Sequence, residues 1–161
     1  MSKNLTNAMS NVEVAYQEVI DISNDIVKEM TGDITLLIEN TYNNIETLTN
    51  EDIRQLLLRL ALRSYSFGEI KDKSAFKAAL AESLRKEAYA KEFNAAEGTV
   101  AAKENTATIN ISSEIVVEEI YELTASLLKT RADEIHRVVD ALKSVLTTRL
   151  TEAKLTSIDT E

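Results

Sequence analysis

The sequence contains no cysteine, no proline and no tryptophan, and it has three glycines in 161 residues. Without cysteine there are no disulfides, no thiol chemistry and no thiolate metal site, a composition that suits a reducing cytoplasm. The one histidine, His136, excludes a histidine-rich metal centre. No apolar run is long enough to span a bilayer, and the start, MSKNLTNAMSNVEVAYQEVI, lacks the apolar core of a signal peptide. We therefore expect a cytoplasmic protein without a membrane segment.

Recognisable catalytic motifs are also missing. There is no GxGxxG, P-loop, HExxH, EF-hand or GxSxG pattern. Glu114, Glu118 and Glu122 follow helical spacing and could in principle hold a metal, but the same spacing arises on any acidic, solvated helix face. No nucleophile or base accompanies His136 at a recognisable spacing, so we expect it to be structural or on the surface. The sequence predicts a protein that is not an enzyme, with no cofactor and no metal.

What the chain does contain is helical periodicity. It is 44% hydrophobic and 28% charged, which is typical of a folded domain with a modest core. Apolar residues recur at three- and four-residue steps, and this predicts an all-α fold. The first helix is predicted over 5–30. The following TGD, 31–33, either separates it from a second helix or marks a kinked continuation.

A further helix is predicted to begin at a cap formed by Thr49 or Asn50. Gly68 is expected to weaken this helix, and a new piece capped by Asp72 or Ser74 is expected to follow. The second piece runs to about residue 96, and its apolar positions are Phe76, Leu80, Leu84, Tyr89 and Phe93.

Gly98 interrupts the helix-forming stretch YAKEFNAAEGTVAAKENTA at 89–107. A glycine just past a helix end can adopt a positive φ, and Thr99 is a good N-cap. We therefore predict that one helix stops here and another starts, giving an αα-hairpin. The alternative is an unbroken helix in which Gly98 permits close contact with a neighbour.

The last helix is predicted to run without a break from Val100 to Glu152, although the β-branched cluster TATINISSEIVV lowers its local helix propensity. At about 1.5 Å per residue such a helix spans about 75–80 Å, more than a compact chain of this size can enclose. We therefore expect a homo-oligomer with an interface along the seam of this helix, formed by Ile135, Val139, Leu142, Leu146 and Leu150.

Charge is unevenly distributed along the chain. Residues 1–53 hold 2 basic and 10 acidic side chains, residues 54–91 hold 9 and 4, and residues 92–161 hold 7 and 13. Cations beside aromatic faces are what sequence-tolerant binding of single-stranded DNA requires. The candidate phosphate contacts are Arg54, Arg59, Arg63, Lys71, Lys73, Lys77, Arg85 and Lys86, with base stacking from Tyr65 or Phe67. The alternative is that the aromatic residues are core and the cations balance neighbouring acidic helices.

Two segments carry a resemblance to a known type of protein. They are 89–107, quoted above, and YELTASLLKTRADEIHRVVDALKSVLTTRLTE at 121–152. Together they resemble small helical proteins of tailed phages, and the basic helix, glycine turn and long final helix are similar to the T4-type phage recombination mediator. The resemblance covers about 54–152 and implies binding of single-stranded DNA, a recombinase partner, a homo-oligomer and the host cytoplasm.

These observations give two functional hypotheses. The first is a phage DNA-metabolism accessory protein that binds single-stranded DNA as a recombination mediator. The second is a non-enzymatic coiled-coil module that binds a protein, as a scaffold or as an inhibitor of a host defence protein. The predicted organisation is an acidic helical part at 1–53, a helical hairpin at 54–155 and a frayed tail at 156–161.

Overall fold

The computed structural model describes residues 3–158, and within that range it omits the side chains of 3–13, 15, 42 and 156–158. The described chain is all-α, as predicted, and shows no strand. Its four helices are α1 (Lys3–Asn44), α2 (Asn50–Ala95), α3 (Val100–Asn110) and α4 (Ser112–Ile158). The predicted frayed tail falls partly within α4, and its last residues, 159–161, lie outside the described residues.

Two of the three glycines lie inside helices. α1 continues through Gly32 and α2 continues through Gly68, so the predicted separation of α2 into two pieces is wrong. A glycine costs a helix only about 1 kcal/mol relative to alanine. In α2 that cost is offset by side chains buried at every seventh position: Ile53, Leu60, Phe67, Ser74 and Ala81. Such a heptad repeat is typical of coiled-coil packing.

The two joints next to α2 carry the caps that the sequence predicts. Thr49 caps α2: the Asp52 N–H donates to Thr49 Oγ1 at 3.2 Å, and the Thr49 N–H donates to Asp52 Oδ2 at 2.9 Å. After α2, Gly98 has a φ of +108°, and Thr99 Oγ1 accepts a hydrogen bond from the Ala102 N–H. The predicted turn at Gly98 is confirmed, and the unbroken helix is excluded.

The prediction of an unbroken helix from Val100 is wrong. Ile111, with φ −102° and ψ 20°, separates α3 from α4. The break lies in the β-branched cluster, where helix propensity is lowest. It is also stabilised by burial, since Ile111 is almost fully enclosed, and by a hydrogen bond from the Asn110 side-chain amide to Glu92.

The chain forms two compact units, each assembled from segments that are distant in sequence. The first unit comprises Met1–Glu29 and Lys71–Leu128, and the second unit comprises Met30–Ile70 and Lys129–Glu161. This grouping differs from the predicted one at residue 53, because α1, α2 and α4 each contribute to both units. No helix within residues 3–158 has an apolar stretch long enough to cross a membrane.

The second unit has a core of large aliphatic side chains. Ile53, Leu60 and Leu142 are completely buried and contact one another in one cluster. Around them pack half-buried residues of three helices and one joint: Leu37, Ile38, Ile45, Leu48, Leu56, Leu57, Val138, Val139, Val145 and Leu146. The segment DALKSVLTTRL therefore serves as the α4 wall of this core.

This core corrects the predicted oligomer seam. Ile135 and Leu142 are buried, while Val139 and Leu146 pack against the cluster, so these four do not form an open interface. Leu150 remains partly exposed. The physical reason is that α1 and α2 have 42 and 46 residues and cover the apolar side of α4 from within the chain.

Arg149 of α4 forms hydrogen bonds with the joint between α1 and α2 in the second unit. Its guanidinium donates to the backbone carbonyls of Ile45, Glu46 and Leu48. These carbonyls belong to the joint that follows the end of α1 at Asn44, and backbone carbonyls outside a helix need partners of their own. Arg149 therefore links α4 to the backbone of this joint.

Candidate binding surfaces

Two of the candidate phosphate contacts join neighbouring helices instead. Arg63 Nη2 of α2 lies 2.7 Å from Asp33 Oδ2 of α1 in the second unit. In the first unit the Arg85 guanidinium of α2 pairs with Glu118 of α4, and both side chains are largely buried. A buried pair of this kind leaves a costly unpaired charge when either partner is withdrawn. Arg85 is therefore a structural residue, contrary to its predicted contact with DNA.

The other basic candidates lie on the surface of α2. Arg54 pairs with Glu51, Lys71 with Asp72, and Lys86 with Glu82, all within one turn of the helix. The Lys86 ammonium lowers the pKa of Glu82 through its hydrogen bond. Pairs between exposed side chains contribute at most about 1 kcal/mol. Arg54, Lys71 and Lys86 can therefore exchange these weak ion pairs for contacts with a ligand. Arg59, Lys73 and Lys77 are exposed on α2 as well.

The two stacking candidates have opposite placements. Tyr65 is 88% exposed, whereas Phe67 is 1% exposed and belongs to the heptad that α2 buries. The prediction that Phe67 offers a face for a base is therefore wrong. Tyr89 and Phe93 stack on each other with ring centroids 6.1 Å apart, and the Lys103 ammonium lies 6.0 Å from the Phe93 centroid. The stacked pair lies within α2, and the Phe93–Lys103 contact joins α2 to α3.

An open groove lies between α2 and α4 in the first unit. Its volume is about 450 Å3, and most of its lining is apolar. Three of its large side chains, Leu80, Leu84 and Val117, are 46–54% exposed. We call it the α2–α4 groove, and its lining residues are Lys77, Leu80, Ala81, Leu84, Ser113, Glu114, Val117 and Tyr121.

The sequence does not reveal this groove, since periodicity identifies Phe76, Leu80 and Leu84 only as apolar positions of a helix. In the structure all three are exposed, with Phe76 at 70%. The core positions of this part of α2 are instead the small residues Ser74 and Ala81. α2 therefore carries two overlapping stripes, one exposed and apolar, the other buried. The sequence signal for the buried stripe is that the heptad which begins with Ile53 continues through Ser74 and Ala81.

The described residues hold no cluster of three side chains suited to bind a metal ion. Among the glutamates considered above, Glu118 is buried against Arg85, so the expectation of a solvated face is wrong for that residue. His136 is exposed on α4, and Glu122 is exposed as well. The glutamate pattern therefore includes one residue that binds a neighbouring helix.

No protein-family model matches this chain, and neither a curated protein nor a solved structure is significantly similar to it. The resemblance to the phage recombination mediator therefore stays a prediction, which depends on the quoted segments alone.

Proposed function

We propose that this protein is a non-enzymatic helical module that binds another protein through the α2–α4 groove. The observation that carries the proposal is the exposure of Leu80, Leu84 and Val117 around one open, apolar groove. Single exposed leucines are ordinary, but several that line one concave surface mark an interaction site. Each such side chain is already about half buried, so complete burial in a complex contributes about 1 kcal/mol per side chain.

Charge favours a protein partner over a nucleic acid. The first unit has 9 basic and 15 acidic side chains, and the second unit has 9 and 12. Neither unit carries the positive net charge that attracts a phosphate backbone. The two arginines held by Asp33 and Glu118 contribute to helix contacts within their units.

Photo-crosslinking tests this function directly. A benzophenone amino acid at Leu80 is compared with the same residue at Leu58, an exposed leucine of α2 in the second unit. In cells that make the protein naturally, we expect a discrete covalent product from position 80 and none from position 58. Absence of a product from position 80, or equal products from both positions, would sink the proposal.

Binding of single-stranded DNA is the second candidate function, and the exposure of Tyr65 favours it. This ring is open to solvent on α2, in a segment that also exposes Arg54 and Arg59. A base can stack on tyrosine while arginine contacts the phosphates. With the resemblance described above, this surface agrees with a recombination mediator that cooperates with a recombinase in a host cytoplasm.

Fluorescence anisotropy separates the two functions. A labelled strand of about 30 nucleotides is titrated with the full chain at about 50 and 200 mM salt, because counterion release makes phosphate binding weaken as salt rises. Under the DNA hypothesis, Tyr65→Ala and Arg59→Ala reduce binding and Leu80→Glu does not. No binding, or binding that salt leaves unchanged, rejects this second candidate.

A further inference from the structure

The α2–α4 groove has features that specify its occupant more closely. We propose that it takes one amphipathic α-helix of a partner protein, with a large apolar face, one acidic edge and one basic edge. This inference rests on the proposed function, and it adds the chemical class of the partner.

The dimensions of the groove fit a short helical segment. The α2 wall runs from Lys77 to Leu84 and the α4 wall from Ser113 to Tyr121. At about 1.5 Å per residue, each wall is about 10–12 Å long, which is two turns of helix. A helix that lies in such a groove inserts anchors at positions i, i+3 or i+4, and i+7. Leu80 and Leu84 on the α2 wall and Val117 on the α4 wall provide the exposed apolar surface for these anchors.

The charged groups among the described lining residues have opposite signs and lie on opposite walls. Lys77 belongs to α2, and Glu114 belongs to α4, where Ser113 donates a hydrogen bond to its carboxylate. A helix with two acidic edges would set one of them against Glu114, and a helix with two basic edges would set one against Lys77. Like charges across an interface disfavour binding, so a helix with one edge of each sign is preferred.

Three synthetic peptides test this charge rule. Each has about 18 residues, enough for an amphipathic helix with anchors over several turns, and the same leucine face. One has an acidic and a basic edge, one has two acidic edges, and one has two basic edges. Labelled peptide is titrated with the full chain at about 150 mM salt, where general attraction to the acidic protein is screened beyond about 8 Å.

We expect the mixed-edge peptide to bind about tenfold more tightly than either uniform peptide, a difference of one decade in Kd. Leu80→Glu should abolish its binding, and Leu62→Glu, an exposed control on α2 in the second unit, should leave it unchanged. Lys77→Glu should shift the preference to the peptide with two basic edges, and Glu114→Lys should shift it to the acidic one. Equal binding of all three peptides, no binding, or binding indifferent to Leu80→Glu overturns the inference.

Sedimentation velocity distinguishes a second copy of this chain as the occupant. A dimer that Leu80→Glu dissociates would assign the groove to self-association and would overturn the proposal of a foreign helix. The failure of this inference and that of the proposed function remain distinguishable. If the peptides fail while the benzophenone at position 80 still captures a partner protein, the function stands and the stated helix chemistry is wrong.

Discussion

The two units use the same three long helices in different ways. In the second unit the buried positions hold large side chains, such as Leu60, Phe67 and Leu142. In the first unit Ile111 and Leu128 are buried as well, but small or polar residues such as Ser23, Ala81 and Thr124 take more of the buried positions than in the second unit. Of the large apolar residues that α2 contributes to the first unit, Leu80 and Leu84 lie outside this core and line the α2–α4 groove. The comparison shows that one helix can contribute large core residues in one unit and present an exposed apolar surface in the other.

The energetic consequence of this difference follows from area. Complete burial of a leucine contributes about 1.5–3 kcal/mol, whereas an alanine or serine buries little apolar surface. Substitutions in the second core should therefore cost more stability than those around the groove. The predictions below test this difference, in order of decreasing expected effect.

The largest effect should come from Leu142→Ala in the second unit. The side chain is completely buried against Ile53 and Leu60, so its truncation leaves a cavity and should destabilise the protein by about 2–5 kcal/mol. Leu80→Ala removes the same atoms from a half-exposed position and should cost less than about 1 kcal/mol. Urea unfolding of both variants measures the two costs. Equal costs would show that the two units do not differ in the way described here.

The next effect concerns the ion pair of the first unit. Arg85→Ala leaves Glu118 without its partner in a largely buried site and should destabilise the protein by about 2 kcal/mol. Replacing both residues, with Arg85→Met and Glu118→Leu, should recover most of that loss, since apolar replacements of a buried pair are often tolerated. Urea unfolding of the single and double variants measures the coupling. A double variant no more stable than Arg85→Ala contradicts the proposed role of the pair.

A smaller effect, of the opposite sign, is expected at Thr124. Its Oγ1 is buried in the first unit and has no hydrogen-bond partner among the described residues. The Ile120 carbonyl one turn earlier accepts instead from the Ser23 hydroxyl, at 3.2 Å. Thr124→Val keeps the shape and removes the unpaired hydroxyl, so it should stabilise the protein by about 1 kcal/mol. Thermal unfolding would show a raised Tm, and a lowered Tm would imply that the hydroxyl has a partner in solution.

Local chemistry explains what the sequence could predict. Thr49 and Gly98–Thr99 mark helix ends through hydrogen bonds and backbone angles that a few neighbouring residues determine. Helical periodicity likewise predicts the all-α class. By contrast, the continuation of α2 through Gly68 depends on burial of side chains on both sides of the glycine. The break between α3 and α4 depends on the burial of one residue, Ile111. Low helix propensity therefore indicates the segment in which the helix breaks, but it does not indicate the residue at which it breaks.

The candidate site was harder to predict because its walls come from distant segments. Leu84 and Val117 line one groove although 33 positions separate them in the chain. Periodicity places Leu80 on an apolar stripe, but it cannot tell a stripe that meets another helix from one that faces solvent. The same ambiguity explains why Ile135 and Leu142, predicted as an interface, are core residues.

The smallest effect compares the two caps that flank α2. At the second-unit cap, hydrogen bonds from the Thr49 side chain and backbone lower the pKa of Asp52 below its ordinary value of 3.8. At the first-unit cap, Thr99 bonds to Ala102, whose side chain cannot titrate. A carboxylate with a lowered pKa in the folded state contributes stability above its unfolded pKa, and that contribution is lost as pH falls through the folded pKa.

The stability difference between the natural protein and Asp52→Asn should therefore be constant above about pH 5 and shrink as the pH falls below the ordinary carboxylate range. Thr99→Ala, which should cost about 1 kcal/mol, serves as the control because its cost should not change over the same range. Urea midpoints measured from neutral to acid pH give both curves. If the two curves fall together, general loss of carboxylate charge is responsible. If only the Asp52→Asn difference shrinks, the cap of the second unit is the one that titrates.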